Sequence, residues 1–121
     1  MKFDPPVPIL RMFDETKARE FYLEFLGFTV DWEHRFEPGL PLYMQVSKDN
    51  CVLHLSEHFG DSAPGAGIRI KTEGLDLFQQ QLLAKKYKNA RPGIQLMSWN
   101  AREMCIQDPF FNRLIFYEDV E

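Results

Sequence analysis

The sequence predicts an α+β protein made of two consecutive β-α-β-β-β modules. Stretches with the period-two alternation of strands and stretches with helical spacing follow one another in the same order in both halves of the chain. The second half repeats this order after about sixty residues, although the two halves share negligible sequence identity. Each module alone leaves one face of its sheet bare, and two modules can cover one another. We therefore expect a single domain of 121 residues, with modules at about 5–58 and 66–118.

The first module opens with an edge strand and a helix. The segment "PPVPILRMF" begins with prolines, which suit an edge strand, and becomes apolar over Val7 to Phe13. Asp14 is placed to cap the following helix, and Gly27 is placed to end it at the C′ position. The apolar residues that repeat at helical spacing between them are Ala18, Phe21, Tyr22, Phe25 and Leu26.

Three strands complete the first module. The alternation of "FTVDWEHRF" predicts one strand face with Phe28, Val30, Trp32, His34 and Phe36, and an opposite face with Asp31, Glu33 and Arg35. "EPGLP" then predicts a turn, and "LYMQVS" and "CVLHLSEH" predict a hairpin joined through "KDN". The second module repeats the plan, with "IRIKT" as a strand and "GLDLFQQQLLAKKY" as a helix. Its last three strands are "GIQLMSW", "REMCIQD" and "RLIFYE".

Composition and charge narrow the function classes. The formal net charge of −4 argues against a nucleic-acid partner and for neutral or cationic ligands. Cys51 and Cys105 lie in apolar runs, so we expect reduced, buried thiols rather than a disulfide. No stretch resembles a signal peptide or a membrane span, which predicts a cytoplasmic protein with no membrane partner.

The stretch "CVLHLSEH" raises the question of a metal site. His54 and His58 share a strand face but lie about 13 Å apart along a regular strand, too far for one ion bound at roughly 2.1 Å. Ser56 shares that face, whereas Glu57 points to the other face. The spacing therefore favours a strand with an inward His54 over a chelating pair.

Several residues are candidates for ligand binding. The aromatic row with Trp32 and Phe36 is either a core row or, beside Asp31, a surface for a flat, cationic, heteroaromatic ligand. We leave both interpretations open. Phe59, in the loop after "CVLHLSEH", joins the candidate set. No Ser-His-Asp order, CxxC pair or Gly-rich phosphate loop is present, and no carboxylate is singled out as a general base.

The second module contributes four more candidates. Trp99 is placed to form a groove wall and Met104 to pack on a ligand ring, although the pair equally suits the apolar cap of a hairpin. Arg69 shares a face with Lys71 and is expected toward solvent or a groove. Arg102 is placed to pair with its neighbour Glu103 across the hairpin, a contact worth little if it is exposed.

Three stretches resemble the vicinal oxygen chelate superfamily of glyoxalases, bleomycin-resistance proteins and dioxygenases. They are "VPILRMFDETKAREFYLEFLGF", "CVLHLSEH" and "DPFFNRLIFYE". The resemblance implies two βαβββ modules whose curved mixed sheets surround a cup. Phe111 departs from the family's closing motif, which usually has Gly there. If that turn needs a positive φ, Phe111 carries a conformational cost.

The resemblance also bears on metal binding, because this superfamily takes one metal ligand from each of four strands. By the motif alignment those positions are Val7, His54, Ala66 or Gly67, and Ile115. Only His54 has a side chain that ligates a metal, and one ligand does not hold a divalent ion. The resemblance therefore implies no metal and no other cofactor.

Within the superfamily, "PVPILRMFD", "LGFTVDWEHRF", "VLHLSEH" and "WNAREM" look most like the bleomycin-resistance branch. That likeness implies a homodimer with exchanged N-terminal strands, in which Trp32 and Trp99 meet across the subunit interface in two equal grooves. The candidate ligand-binding residues are Asp31, Trp32, Phe36, His54, Ser56, Phe59, Arg69, Trp99, Arg102 and Met104, and we assign no catalytic or metal-binding residue.

The function expected on this basis is metal-independent binding and sequestration of a bleomycin-type or similar cationic aromatic molecule, as in antibiotic resistance. The alternatives are a glyoxalase-type lyase or isomerase that uses an unidentified carboxylate, and a binding protein for an unknown metabolite. We favour a binding protein over an enzyme, since most of the superfamily's metal-ligand positions lack a ligating side chain.

Overall fold

The computed structural model describes residues 1–120, which divide into two compact units, Met1–Pro64 and the chain from Gly65 onward. Each unit contains one helical segment and one four-stranded mixed sheet, so the predicted α+β class and the predicted order of elements are confirmed. No helix among residues 1–120 is long and apolar enough to cross a membrane.

In the first unit the sheet order is β1-β4-β3-β2, with β1 parallel to β4 and the other pairs antiparallel. The strands are β1 (Ile9–Arg11), β2 (Thr29–His34), β3 (Tyr43–Lys48) and β4 (Cys51–Ser56). Helix α1 (Glu15–Arg19) continues as a π-helical segment over Glu20–Phe25. Strand β1 is shorter than the predicted Val7–Phe13.

Both ends of this helical segment follow the local sequence. The Asp14 carboxylate accepts a hydrogen bond from the backbone N–H of Lys17 at 3.0 Å, which confirms the predicted N-cap. At the other end Gly27 has a φ of +85°, as expected for a C′ residue. A Cβ atom at Gly27 would also come within 2.9 Å of Lys48 Nζ, which donates to the carbonyl of Leu26. Glycine therefore satisfies both the backbone conformation and the close approach.

The first sheet has one apolar and one polar face. The apolar face is fully buried and consists of Leu10, Met44, Val46, Leu53 and Leu55. Arg19 of α1 reaches Glu33 of β2, which is paired with Met44, so the helix lies on the apolar side. The opposite, polar face of β3 and β4 carries Tyr43, Gln45, Ser47, Val52 and His54.

A β-bulge in β2 corrects the predicted alternation of that strand. Val30 pairs with Val46, but Trp32 pairs with Gln45, so Asp31 is the extra residue. Val30 therefore lies opposite an apolar-face residue, whereas Trp32 lies opposite a polar-face residue. The prediction that Val30 and Trp32 share one face of the strand is wrong. One inserted residue moves every later side chain of the strand to the opposite face.

Strand β4 also ends earlier than predicted. It stops at Ser56, and the backbone N–H of His58 turns back to donate to the Ser56 hydroxyl at 3.0 Å. Glu57 follows the end of β4, where its backbone N–H donates to the carbonyl of Leu42 and its carboxylate accepts from the backbone N–H of Leu42, each at 2.9 Å. His54 and His58 therefore do not lie on one regular strand.

The second unit has the sheet order β5-β8-β7-β6, with β5 parallel to β8. Its elements are β5 (Gly67–Lys71), α2 (Leu75–Ala84), β6 (Ile94–Leu96), β7 (Ala101–Gln107) and β8 (Arg113–Asp119). Helix α2 covers one face, here called the α2 face, where Phe78 packs edge-on against Phe116 with ring centroids 5.1 Å apart. Cys105 lies on the opposite face and is exposed, so the prediction that it is buried is wrong.

The turn between β7 and β8 is held by two buried polar side chains. The Asp108 carboxylate accepts from the backbone N–H groups of Phe110 and Asn112, each at 2.8 Å, and from the Asn112 side chain. The Asn112 side chain accepts in turn from the backbone N–H of Ala66 at 3.2 Å. Phe111, at the tip, has a φ of +69°. The positive φ suspected from the sequence is confirmed, and a non-glycine residue carries it.

Candidate functional site

An aromatic cluster stands on the polar face of the first sheet. The Trp32 ring stacks on Tyr43, with ring centroids 5.9 Å apart and an interplanar angle of 8°. The His54 ring stands edge-on to both, with centroids 5.3 Å from Trp32 and 5.2 Å from Tyr43. Trp32 remains 44% exposed. One indole face is therefore backed by Tyr43 while the side chain stays accessible, so the platform is rigid and reachable.

A chain of hydrogen bonds links Tyr43 and His54 of this cluster to neighbouring polar side chains. Tyr43 Oη lies 2.6 Å from His54 Nδ1, and His54 Nε2 lies 2.9 Å from Gln45 Oε1. Gln45 Nε2 donates to Asp31 Oδ2 at 3.0 Å, and Ser47 Oγ donates to Asp31 Oδ1 at the same distance. The bulge turns the Asp31 side chain to the face that carries Gln45 and Ser47, so the bulge builds this network.

The chemistry of Asp31 fixes the direction of every bond in the chain. An ionised carboxylate only accepts, so the Gln45 amide nitrogen faces Asp31 and the amide oxygen faces His54. His54 Nε2 must then carry the proton, which leaves Nδ1 as an acceptor for the Tyr43 hydroxyl. Burial lowers the pKa of His54, which favours this neutral ring. Burial also raises the pKa of Tyr43, and the charge of Asp61 adds to the effect, which keeps the phenol protonated.

The surroundings of His54 do not fit a metal centre. Its two ring nitrogens are engaged by Tyr43 and Gln45, so no lone pair points to solvent. The strand register places Ile9, rather than the expected Val7, beside His54. Among residues 1–120 no group of three or more His, Cys, Asp or Glu side chains is arranged to hold a metal ion.

The register of the second sheet also corrects the metal positions inferred there. Arg69, rather than Ala66 or Gly67, lies beside Ile115 in the parallel β5–β8 pair. A guanidinium has no lone pair to offer a metal, and an isoleucine has no polar atom. The corrected positions therefore offer no metal ligand either.

Three other predicted residues of the first unit lie away from the aromatic cluster. Ser56 is fully buried and donates to Asp61 Oδ2 at 2.7 Å, so its hydroxyl has a structural role in the loop. Phe36 follows the end of β2 and is 77% exposed, with its ring edge-on to His34. The interpretation of Phe36 as a core residue is wrong. Phe59 is almost fully exposed in the loop after β4.

In the second unit, a buried carboxylate joins two of the predicted residues. Glu103 Oε2 accepts from Arg69 Nη1 and from Trp99 Nε1, each at 2.9 Å. The Arg69 guanidinium also lies over the Tyr117 ring, 4.3 Å from its centroid. Burial raises the pKa of Glu103, but the hydrogen bonds from Trp99 and Arg69 outweigh burial, and the net pKa lies below that of an ordinary glutamate. Trp99 is 58% exposed and held by its indole N–H.

The structure does not bring Arg102 and Met104 to this cluster. Both lie on the α2 face, where Met104 is fully buried and Arg102 binds Asp76 of α2 at 2.7 Å and 2.9 Å. Arg102 also contacts Glu118. The predicted pairing of Arg102 with Glu103 is therefore wrong, because adjacent residues on a strand point to opposite faces.

Sequence reasoning missed Tyr43 and Gln45, and it paired Glu103 with Arg102 instead of with Arg69 and Trp99. Tyr43 and Gln45 alternate on β3 and share their face with His54 of the next strand. The hairpin predicted from "KDN" carried this signal, because it fixes which β3 side chains lie beside His54. Asp31 was predicted on the strand face opposite Trp32, and the bulge instead brings its carboxylate to the face that carries Gln45 and Ser47.

Comparison with known proteins identifies the family. Residues 1–121 match the family described as "Glyoxalase superfamily protein". No curated protein sequence shows a significant match to the chain.

Solved structures agree with that match. A bleomycin-binding protein complexed with bleomycin is 22% identical, with 97% of this chain and 99% of that chain covered and a TM-score of 0.71. A bleomycin resistance determinant encoded on the transposon Tn5 is 19% identical, with 97% and 98% covered and a TM-score of 0.72. A superfamily member from Sphaerobacter thermophilus is 18% identical, with 97% and 98% covered and a TM-score of 0.69.

These identities are low, so the solved structures establish the fold and leave the ligand open. The family match spans the whole chain, and the two four-stranded sheets have the topology described above. The chain therefore belongs to the glyoxalase superfamily and has the fold of that superfamily's bleomycin-resistance proteins.

Proposed function

We propose that the protein binds a flat, cationic aromatic small molecule, such as a bleomycin-type drug, and sequesters it without chemical change. The observation that carries this proposal is the platform of Trp32, which is backed by Tyr43 and stands beside the carboxylate of Asp31. A planar cation gains from both features, because it stacks on the indole and is attracted by the adjacent negative charge.

The rigidity of the platform supports binding. Trp32 is already ordered by its contacts with Tyr43 and His54, so a ligand that stacks on it restricts little further side-chain freedom. A well-placed aromatic pair contributes about 0.5–1.5 kcal/mol beyond the area it buries. The stack alone therefore gives modest affinity, and the charge of Asp31 adds selectivity for cations.

The second unit supports the proposal with a similar arrangement. Trp99 is exposed and fixed by its hydrogen bond to Glu103, so it offers a second aromatic surface that is held in place. The charge beside Trp99 differs from that beside Trp32, because Arg69 binds the same oxygen of Glu103 and offsets its negative charge. We therefore assign the cationic part of the ligand to the face with Asp31.

Sequestration follows from mass action alone. A protein that holds the drug lowers its free concentration, and protection depends on the dissociation constant and the amount of protein. The neutral, fully hydrogen-bonded His54 fits this role, since binding needs no group poised to transfer a proton.

One contact favours a second candidate function. The hydrogen bond of 2.6 Å between Tyr43 and His54 joins two groups that serve as general acids and bases in enzymes. A metal-free lyase or isomerase of the glyoxalase type would use this pair rather than an unpaired carboxylate. Gln45 opposes the idea, because it occupies the other ring nitrogen of His54 and blocks further passage of the proton.

We also propose that the protein is a homodimer that exchanges its N-terminal strand, so that β1 leaves the β4 of its own chain, with which it pairs here, for the β4 of a second subunit. Strand β1 has three residues, and the exposed segment before it carries the apolar side chains of Met1, Phe3 and Val7. Exposed apolar groups beside a short edge strand suit a contact with another subunit. Light scattering at micromolar protein should give a dimer mass. A monomer mass would contradict the dimer, and a dimer crystal structure with β1 paired to its own β4 would contradict the exchange.

Isothermal titration calorimetry with metal-loaded bleomycin tests the main proposal, beside a glyoxalase assay with a hemithioacetal substrate. We expect a saturable heat and no turnover. Absence of heat at high micromolar drug would contradict the drug-binding proposal and favour an unknown metabolite. Turnover that persists in the presence of a chelator would instead favour the metal-free enzyme.

A further inference from the structure

We propose that Tyr43 determines ligand specificity: its hydroxyl oxygen accepts a hydrogen bond from an N–H group of the ligand, and Asp31 sets this polarity through Gln45 and His54. The inference rests on the proposed function and deepens it, because it names the contact and the chemical group that the ligand must bring. That group is a hydrogen-bond donor on a planar ring, such as an amino, amidinium or protonated heterocyclic N–H.

The direction of the network carries the inference. Tyr43 gives its proton to His54, and Ser47 gives its proton to Asp31. Each hydroxyl has one proton and two lone pairs, so both oxygens are left with acceptor capacity alone. A ligand N–H meets a lone pair at Tyr43, whereas a ligand carbonyl or carboxylate meets oxygen lone pairs with no proton between them. The polar face of the first sheet therefore selects ligands that carry hydrogen-bond donors.

Asp31 is the origin of this polarity because it accepts at both carboxylate oxygens. If Asp31 were an asparagine, its amide group could donate, and the Gln45 amide could rotate to present its nitrogen to His54. His54 would then carry its proton on Nδ1 and donate to Tyr43, which would free the Tyr43 proton for the ligand. A substitution at Asp31 thus reverses the direction of the hydrogen bond of the Tyr43 hydroxyl without any change to Tyr43 itself.

A fall in pH should turn the Tyr43 proton toward the ligand, as Asp31→Asn does. A protonated His54 donates from both nitrogens, so Tyr43 must accept from it and turn its own proton outward. The charged or titratable groups around His54 are Asp31 on β2, Tyr43 on β3, Arg11 on the neighbouring β1, and His58 and Asp61 after β4. Burial disfavours the charged ring, so the effect should begin below the ordinary range of histidine titration.

A matched pair of probes tests the proposal. Proflavine is a flat cation with N–H donors, and in its fully N-methylated analogue every N–H is replaced by N–CH3. The wild-type protein should bind proflavine about tenfold or more tightly than the analogue, the usual effect of one hydrogen bond to a charged donor. Tyr43→Phe keeps the aromatic ring and removes the hydroxyl acceptor, so the preference for proflavine over the analogue should vanish.

The variant Asp31→Asn separates the effect of Asp31 on the hydrogen-bond direction of Tyr43 from the effect of its negative charge. A purely coulombic role of Asp31 would weaken both cations equally and leave the preference intact. We expect the preference itself to fall, and we expect the same fall in the wild-type protein as the pH drops. Nitrogen NMR of the imidazole ring gives an independent readout, and should find the proton of His54 on Nε2 in the wild-type protein at neutral pH.

The outcomes distinguish this inference from the proposed function. If both probes bind but show no preference, or if the preference survives Tyr43→Phe, the inference is overturned and the binding function stands. A proton found on His54 Nδ1 would also overturn it. If neither probe nor bleomycin binds the wild-type protein, the proposed function fails and the inference fails with it.

Discussion

Trp32 lies parallel to Tyr43, with an interplanar angle of 8° and ring centroids 5.9 Å apart. This stack exists because the bulge at Asp31 shifts β2 by one residue and brings Trp32 to the face that carries Tyr43. Without the bulge, Trp32 and Asp31 would lie on opposite faces. The same insertion therefore builds both the aromatic surface and the adjacent negative charge.

Replacing Trp32 with Ala should weaken bleomycin binding by about tenfold or more, because a rigid aromatic anchor is removed. Trp99→Ala should have an effect of the same order. Both side chains are exposed, so the far-ultraviolet circular dichroism spectrum and the thermal midpoint should change little. Leu77→Ala removes an exposed apolar side chain on α2 and serves as the control, for which calorimetry should give the wild-type affinity.

Phe111→Gly should stabilise the protein. Phe111 has a φ of +69° and is 68% exposed, so glycine relieves backbone strain while little packing is lost. The expected gain is about 1 kcal/mol in the free energy of unfolding, measured by urea denaturation. Gly27→Ala is the opposite case, since an added Cβ meets a positive φ and crowds Lys48, and it should destabilise. A loss of stability in Phe111→Gly would contradict this account of the turn.

Asp108→Ala should be among the most destabilising single changes. The substitution leaves the backbone N–H groups of Phe110 and Asn112 and the Asn112 side chain without their buried acceptor. The expected cost is roughly 3 kcal/mol in the free energy of unfolding. Asp119→Ala removes an exposed carboxylate and should cost less than about 1 kcal/mol. Equal effects of the two substitutions would contradict the structural role of Asp108.

The purified protein should carry no stoichiometric nickel, zinc, iron or manganese after dialysis. His54 is engaged at both ring nitrogens, and its neighbour Ile9 offers no ligand. Elemental analysis is the measurement. An equimolar metal that is lost in His54→Ala would contradict the metal-independent account, whereas a trace unaffected by that substitution would agree with it.

Local sequence signals predicted the elements of the fold. The cap at Asp14 and the turn at Gly27 each depend on one residue and its immediate neighbours, and both are confirmed. The strained position of Phe111 followed from a motif in which glycine is usual, and its positive φ is also confirmed. Such features need no knowledge of distant contacts, which is why the sequence reveals them.

The site depended on pairing between strands and was predicted less well. The bulge at Asp31 arises from how β2 pairs with β3, and the alternation of β2 alone does not reveal it. The hydrogen bonds of Tyr43 follow from the register of β3 with β4. The alternation of side chains along β7 could be read from the sequence, however. It places Arg102 and Met104 on one face of the strand and Glu103 on the other.

The central claim is that a planar cation stacks on Trp32, and the indole N–H signals of the two tryptophans test it directly. Trp99→Phe assigns the two signals, and bleomycin is then titrated into the wild-type protein and into Asp31→Asn. The account predicts a saturable shift of the Trp32 signal in the wild-type protein, with an affinity that matches calorimetry and falls in Asp31→Asn. A Trp32 signal that stays in place while calorimetry records saturable binding would contradict it.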